Sequence, residues 1–319
     1  MLSSSYVGPP PVRPFVVLAL LWAFLTVAAC GGSGPSMGPP SMGGGLVVPP
    51  QDHVFLVVLE NHSFSQVIGS PSMPYLNSLA VQHGLATNYF ANAHPSIGNY
   101  FMLTVGAVET VDDNFSGTIT DNNIVRALTA SGKTWKAYLE SVPSQGYLGG
   151  DVGLYLKHHN PFAYLSDVVS SSAQAANLVP LSQFSADLAA NKLPNFVYIK
   201  PNAENDAHSC PGGALTCPDA DLLSAADAWL KNNIDPLITS PAFGNSLLII
   251  TFDESTLSDV GNIGGHVATV VVGPRVRPGF RSITMHQHQD TLRSMLQALQ
   301  VSNMPNAAAT ANSMGEFFH

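Results

Sequence analysis

Charge is scarce in this chain. Asp, Glu, Lys and Arg make up 10% of its 319 residues, against roughly 25% in ordinary soluble domains. Solubility therefore rests on Asn, Ser, Thr and Gly rather than on ion pairs. Cations are the scarcer sign: Lys and Arg number 12 against 21 Asp and Glu, for a formal charge of −9. No basic run occurs, which argues against a nucleic-acid partner, because that affinity comes from clustered Lys and Arg. An acidic protein still takes phosphate when a divalent cation stands between the two, so the balance favours a metal over an arginine clamp. Cysteine is nearly missing, with three residues. No apolar run is long enough to read as a spanning helix.

What is present at the start has the outline of an export signal over residues 1–29: Arg13, an apolar stretch from Phe15 to Ala29, then small residues. Val27-Ala28-Ala29-Cys30 resembles the lipobox of bacterial lipoproteins, with glycines and no Asp directly after Cys30. The expectation is an exported protein in the bacterial cell envelope, touching the membrane through a lipid on Cys30; cleavage near Ala29 and free secretion is the alternative. Residues 30–51 then form the lipidated Cys and a flexible Gly/Pro/Ser linker in which nothing can pack. Residues 52–319 are left for one catalytic domain, a normal size for an α/β fold. Export places Cys210 and Cys217 in an oxidising compartment, and a small disulfide loop is favoured over a thiolate zinc site, which two cysteines cannot complete.

Four continuous apolar runs read as buried strands of a parallel sheet: 54–59, 196–199, 247–252 and 267–272. Helix-like segments at 74–83, 122–131, 181–191, 221–239 and 289–300 alternate with them, which predicts a layered α/β sandwich. Asp121 is placed to cap the helix beginning near Asn122, and Gly132 to end it.

The polar clusters fall behind these runs. Glu60-Asn61 follows VFLVVL and Asp253-Glu254 follows LLIITF; in an open α/β sheet, binding groups collect at the carboxyl ends of strands. A solvated strand end would explain Glu60 alone. Two adjacent carboxylates, however, usually need a cation to stay ionised together, and the four oxygen-bearing residues suit a hard divalent ion. Between them, His94-Pro95-Ser96 offers a hydroxyl that a metal could activate, and Asn99 an amide to meet phosphoryl oxygen; a turn that merely starts a helix competes. Asp206 and His208, two apart, point the same way on extended backbone, as ligands or with His208 as proton donor to a leaving oxygen. His266 follows two glycines at a strand start. Lys157 and His159, in KHHNPF, could contact a phosphoryl group or sit in a solvated loop.

Glu60-Asn61-His62-Ser63, HPSxxNY at 94–100, KHHNPF at 157–162, PNxxNDxH at 201–208, AADAWLKNNIDPLITSPAF at 225–243, FDE at 252–254 and GGH at 264–266 together resemble the bacterial phosphoesterase family. That family holds acid phosphatases, phosphatidylinositol 3-phosphatase-like enzymes and phospholipases C within the alkaline phosphatase superfamily. The resemblance spans roughly residues 52–301. It implies an alkaline-phosphatase-like three-layer α/β/α sandwich around a mostly parallel central sheet. It implies Ser96 as a nucleophile forming a phosphoseryl intermediate; Glu60, Asn61, Asp253 and Glu254 around one divalent metal; and Asn99 and His159 on the phosphoryl group. Asp206, His208 and His266 match positions that hold a second metal in some superfamily members and contact substrate in others. Mg, Ca, Mn and Zn are all compatible. Gly98 stands where the family usually has Pro, and Phe252 where it commonly has Trp.

The leading expectation is thus a metal-dependent phosphomonoesterase acting on a small phosphate ester or a phospholipid headgroup. A phospholipase C-type phosphodiesterase uses the same machinery, and a surface lipoprotein that binds phosphorylated or sugar ligands without turnover is the alternative of another kind.

Overall fold

A computed structural model describes residues 46–259 and 261–319. The expected signal segment and Cys30 lie outside the described residues. Among the described residues no helix is long and apolar enough to cross a membrane.

Among the described residues ten strands follow in chain order: β1 His53–Leu59, β2 Gly84–Ala86, β3 Tyr89–Phe90, β4 Trp135–Leu139, β5 Leu178–Pro180, β6 Phe196–Lys200, β7 Ser246–Phe252, β8 Thr269–Val272, β9 Phe280–Ser282 and β10 His286–Gln287. Eight of them form one sheet in the order β5-β4-β6-β1-β7-β8-β2-β9, and β3 pairs with β10 separately. β1 lies between β6 and β7 and is parallel to both. Its residues from Val54 to Leu59 are wholly buried, which is why that stretch reads as an unbroken apolar run rather than an alternation. Helices Pro74–Gln82, Ile124–Ala130, Ser182–Ala189, Asp219–Ile238 and His288–Ala298 occupy the segments expected of them. The mostly parallel α/β class holds.

The structure corrects three local expectations. The run at 267–272 becomes β8, which is antiparallel to β7; the connection between them carries no helix, and only an antiparallel neighbour can be reached without a crossover. The cap of Ile124–Ala130 is Asn123, whose side chain accepts the Arg126 N–H, rather than Asp121. Gly132, at φ +68°, sits just past that helix as expected. The end of the linker does pack: Val48 is buried, and the Gln51 N–H donates to the carbonyl of Ala298.

Candidate active site

Three neighbouring parallel strands end in ionisable residues: Lys200 closes β6, Glu60 follows β1 and Asp253 follows β7. All three are buried. Registry brings Glu60 level with Asp253, because Leu59 pairs with Phe252, and sets Lys200 just before them, because Val57 pairs with Ile199. The Asn61 N–H donates to Asp253 Oδ1 at 3.2 Å, tying the two strand ends together.

Ser96 stands at the N-terminus of helix Ile97–Thr104 and is buried. Its Oγ donates to Glu60 Oε2 at 3.2 Å. One turn along the same helix face, the Tyr100 hydroxyl donates to Glu60 Oε1. Asp113 Oδ1 accepts the Ile97 N–H, capping the helix from a neighbouring loop. Gly98 fits a crowded place: a Cβ there would lie 3.0 Å from Val108 Cγ1 and 3.1 Å from both Ala93 Cβ and the Thr110 carbonyl. Phe252 is buried edge-on to His62.

Glu60 is the hub. Its Oε1 lies 3.1 Å from Lys200 Nζ and 3.3 Å from His159 Nε2. Burial alone would lift its pKa, but the charges of His159 and Lys200 outweigh that and hold it below the ordinary glutamate value. On the far side, Asp206 Oδ2 lies 2.8 Å from Lys200 Nζ and 3.3 Å from His159 Nδ1. His159 is itself buried, which pushes its pKa well down against the opposing pull of Glu60. Lys200 stays charged: burial opposes it, yet Asp206 and Glu60 raise its pKa above the usual lysine value.

Among the described residues Asp253 has no cationic side chain in ion-pair contact, and Glu254 has only a histidine ring. Burial, then the charges of Glu60 and Glu254, drive the Asp253 pKa well up. Glu254 is pushed to about 9 by burial and then by Glu60 and Asp113, although His94 Nδ1 lies 2.8 Å from its Oε2. Asp253 Oδ2 is a buried oxygen without any hydrogen-bond partner. Carboxylates crowded on one hydroxyl, one with an orphaned oxygen, fit a hard divalent cation, which would supply the missing charge and ligand. A second combination of donors is also close: ligand atoms of Glu60, His159 and His208 all lie within 4.8 Å of one another.

The expected residues are not all brought together in the expected way. Asp206 and His208 do not share extended backbone. Ala207 has φ +78° and the His208 N–H donates to Asp206 Oδ1, so a turn, not strand alternation, brings His208 near Glu60. His266 stays outside the group: its ring is stacked between Phe64 and Phe90 at 4.4 and 5.0 Å, and Nε2 lies 3.1 Å from the Thr87 carbonyl. Asn99 is buried and clamps its own loop, accepting the Asn92 and Ala93 N–H groups on Oδ1 and donating to the Ala93 carbonyl. The Lys157 ammonium rests over the Tyr164 ring, 4.4 Å from its centroid. The cation in the site is Lys200, which the sequence reading passed over. Its signal was the one used for Glu60, a charged residue closing an apolar strand. Glu140, after β4, was also missed; it accepts the Asn202 N–H and the Asn205 amide and so fixes the loop that presents Asp206. Cys210 and Cys217 are joined in a disulfide two residues beyond His208.

The fold is similar to that of solved proteins, one of them in the alkaline phosphatase superfamily. A protein of that superfamily from Vibrio parahaemolyticus superposes with a TM-score of 0.58 over 82% of this chain and 69% of its own, at 12% identity. A lipoteichoic acid synthase from Listeria monocytogenes gives 0.58 over 84% and 75%, at 9% identity. At such identities the likeness is one of fold. The chain belongs to the Phosphoesterase family, whose sequence profile matches residues 70–302, which makes it a phosphoric ester hydrolase. It is 29% identical over 305 residues to a phosphatidylinositol-3-phosphatase from Mycobacterium tuberculosis, covering 94% of this chain and 92% of that protein. It is 28% identical over 254 residues to a probable acid phosphatase from Kluyveromyces lactis, covering 76% of this chain but 56% of the yeast protein. The chain thus spans little more than half the length of that fungal relative.

Proposed function

We propose that the protein is a metal-dependent phosphomonoesterase that works through a phosphoserine intermediate on Ser96, within a catalytic domain formed by residues 52–319. The observation that carries this reading is the seat of Ser96: a hydroxyl at a helix N-terminus, 3.2 Å from Glu60 Oε2, beside the under-compensated carboxyls of Asp253 and Glu254. A divalent cation held by Glu60, Asn61, Asp253 and Glu254 would lower the serine pKa and neutralise phosphoryl charge. Ser96 Oγ passes its proton to Glu60 Oε2, which already accepts it, and attacks phosphorus as the ester oxygen departs. In this reading His208, the exposed member of the group, gives that oxygen its proton. Water then cleaves the phosphoserine and restores the hydroxyl.

Lys200 bears on how many metals this reading needs. Its ammonium lies against Asp206 and Glu60, and fixed positive charge there would do part of the neutralising. The reading is therefore a one-metal enzyme with a lysine in place of the second cation. Monoesters are favoured over diesters because the similar proteins are named as a phosphatidylinositol phosphatase and acid phosphatases.

The test is release of p-nitrophenol from its phosphate, with wild type and Ser96→Ala, before and after chelation. Ser96→Ala is expected to lose at least about a thousandfold in kcat, the scale for removing a nucleophile, and metal analysis should find one ion per chain. A serine variant as fast as wild type would sink the assignment of the nucleophile.

A further inference from the structure

Aliphatic side chains left in solvent are unremarkable when scattered singly. Here the most exposed ones beyond the first residues described gather at the catalytic edge of the sheet: Leu215 at 100% exposure, Ile283 at 83%, Leu257 at 74% and Ile263 at 72%. Leu215 is in the loop after β6, Leu257 and Ile263 in the loop after β7, and Ile283 directly after β9. Strand directions put these on one side. β6 is parallel to β1 and β1 to β7; β8 reverses, β2 reverses again, and β9 is parallel to β2, pairing Ser282 with Ala86. The carboxyl ends of β6, β7 and β9 therefore face the same way as Glu60 and Asp253.

Hydrogen bonds hold these loops around the site. Thr256, next to Leu257, bonds the Ser63 hydroxyl at 3.1 Å. Gln66, in the same turn as Ser63, donates to Asp219 just beyond the Cys210–Cys217 loop that carries Leu215. The Gly213 N–H in that loop donates to Glu204, two residues before Asp206. Asn88 donates to the Ile283 carbonyl, and Thr87 bonds His266. Ile263 has φ +77°, a costly conformation for a β-branched residue, and its side chain is nonetheless directed into water.

We infer that this apolar collar docks the enzyme on a phospholipid surface, seating Leu215, Leu257, Ile263 and Ile283 among the lipids so that a phosphorylated headgroup meets Ser96. The inference rests on the phosphomonoesterase reading and narrows its substrate to a lipid phosphate in a membrane. The occupant is argued from position. A folded partner seated on the collar would cover the catalytic edge and stop turnover, whereas a lipid layer brings substrate to that edge. The net charge of −9 gives no attraction to anionic lipid, so docking runs on apolar contact and is insensitive to salt.

The test uses the full chain with Cys30→Ser in every arm, so that no acylated terminus holds it on vesicles. Wild type is compared with the triple variant Leu215→Ser, Leu257→Ser, Ile283→Ser. Phosphatidylcholine vesicles carrying a small fraction of a phosphatidylinositol phosphate should sediment with wild type equally at low and high salt. The variant should bind at least about tenfold more weakly, the scale for withdrawing a few aliphatic side chains from lipid. Its kcat/KM on the vesicle lipid should fall in step, while its p-nitrophenyl phosphate turnover and Tm match wild type, which shows it is folded. Equal vesicle binding by the two proteins overturns the inference. So does a wild-type dimer that the substitutions dissolve with no vesicle binding, which would assign the collar to a second copy. A wild type inert on p-nitrophenyl phosphate defeats the catalytic reading instead, and sedimentation still decides the docking.

Discussion

Asp206 and Asp253 sit on opposite sides of Glu60, both buried, each with one carboxylate oxygen that no aligned hydrogen bond satisfies. Their surroundings differ in one respect. Asp206 Oδ2 has the Lys200 ammonium at 2.8 Å, an ion-pair contact without hydrogen-bond alignment. Asp253 Oδ2 has nothing, and its pKa climbs through burial and the charges of Glu60 and Glu254. The same buried edge thus has one half where the chain supplies a cation of its own, Lys200, and one half where it places none in contact. An unpaired buried carboxylate is costly enough to protonate or to recruit a metal, so the lopsided balance marks where an ion belongs.

Removing Lys200 breaks the comparison most directly. Lys200→Met leaves Glu60 and Asp206 buried without their counter-charge, and breaking one partner of a buried pair costs about 3–5 kcal/mol. Urea denaturation should show a loss of that size, with activity falling as well. Adding Asp206→Asn to Lys200→Met should recover part of the loss, because the two residues are coupled. If Lys200→Met costs under about 1 kcal/mol, the ammonium is not what balances this half.

Chelation acts on the other half. A bound ion at roughly a hundred times its dissociation constant adds about 3 kcal/mol, worth roughly 6–12 °C in Tm for a chain of this size. The chelator should lower the wild-type Tm by that order and leave an Asp253→Asn variant nearly unmoved. The Lys200→Met variant should keep its response to chelator. A full response in Asp253→Asn would place the ion elsewhere, with the Glu60, His159 and His208 donors as the next candidates.

How much of this was legible in the sequence follows from which groups act through their neighbours along the chain. β1, β6 and β7 are buried on both faces, so their apolar runs announced them, and Glu60 and Asp253 stood out as acids closing such runs. β4 is interrupted by Lys136, and β2 and β9 have three residues each, too few for a periodicity. Lys200 was hidden because a lysine at a strand end ordinarily reaches water. Asn99 and His266 have contacts that the sequence does not announce. Their types suit the chemistry, but local packing takes their hydrogen bonds: Asn99 holds the Asn92 and Ala93 amides, and His266 lies between two phenylalanine rings. Sequence spacing does not reveal which partner claims a polar atom first.

A third cluster serves as the control for the comparison and carries the smallest effect. His286 is buried, with Nδ1 3.0 Å from Asp290 Oδ2 and Nε2 3.1 Å from Glu316 Oε1, so its charges are paired without a metal. Burial works against the charged ring, but hydrogen bonds to Asp290 and Glu316 prevail and raise its pKa above the ordinary histidine value. For Glu316 burial is outweighed by hydrogen bonds from Ser282 and His286, and its pKa is lowered. The stabilisation from His286 is therefore complete below the unfolded-state histidine pKa and is lost as pH rises through the raised folded value. That from Glu316 is present above the ordinary glutamate pKa and is lost as pH falls through the lowered one. Between the two the cluster contributes most, so His286→Gln should cost roughly 1–2 kcal/mol near pH 6, kept modest by the partial exposure of Glu316. The gap between wild type and variant should narrow steadily on going to about pH 9, and chelator should leave it unchanged at every pH. A gap that widens with pH would reverse the sign argued here, and one that closes on chelation would tie this cluster to the metal half after all.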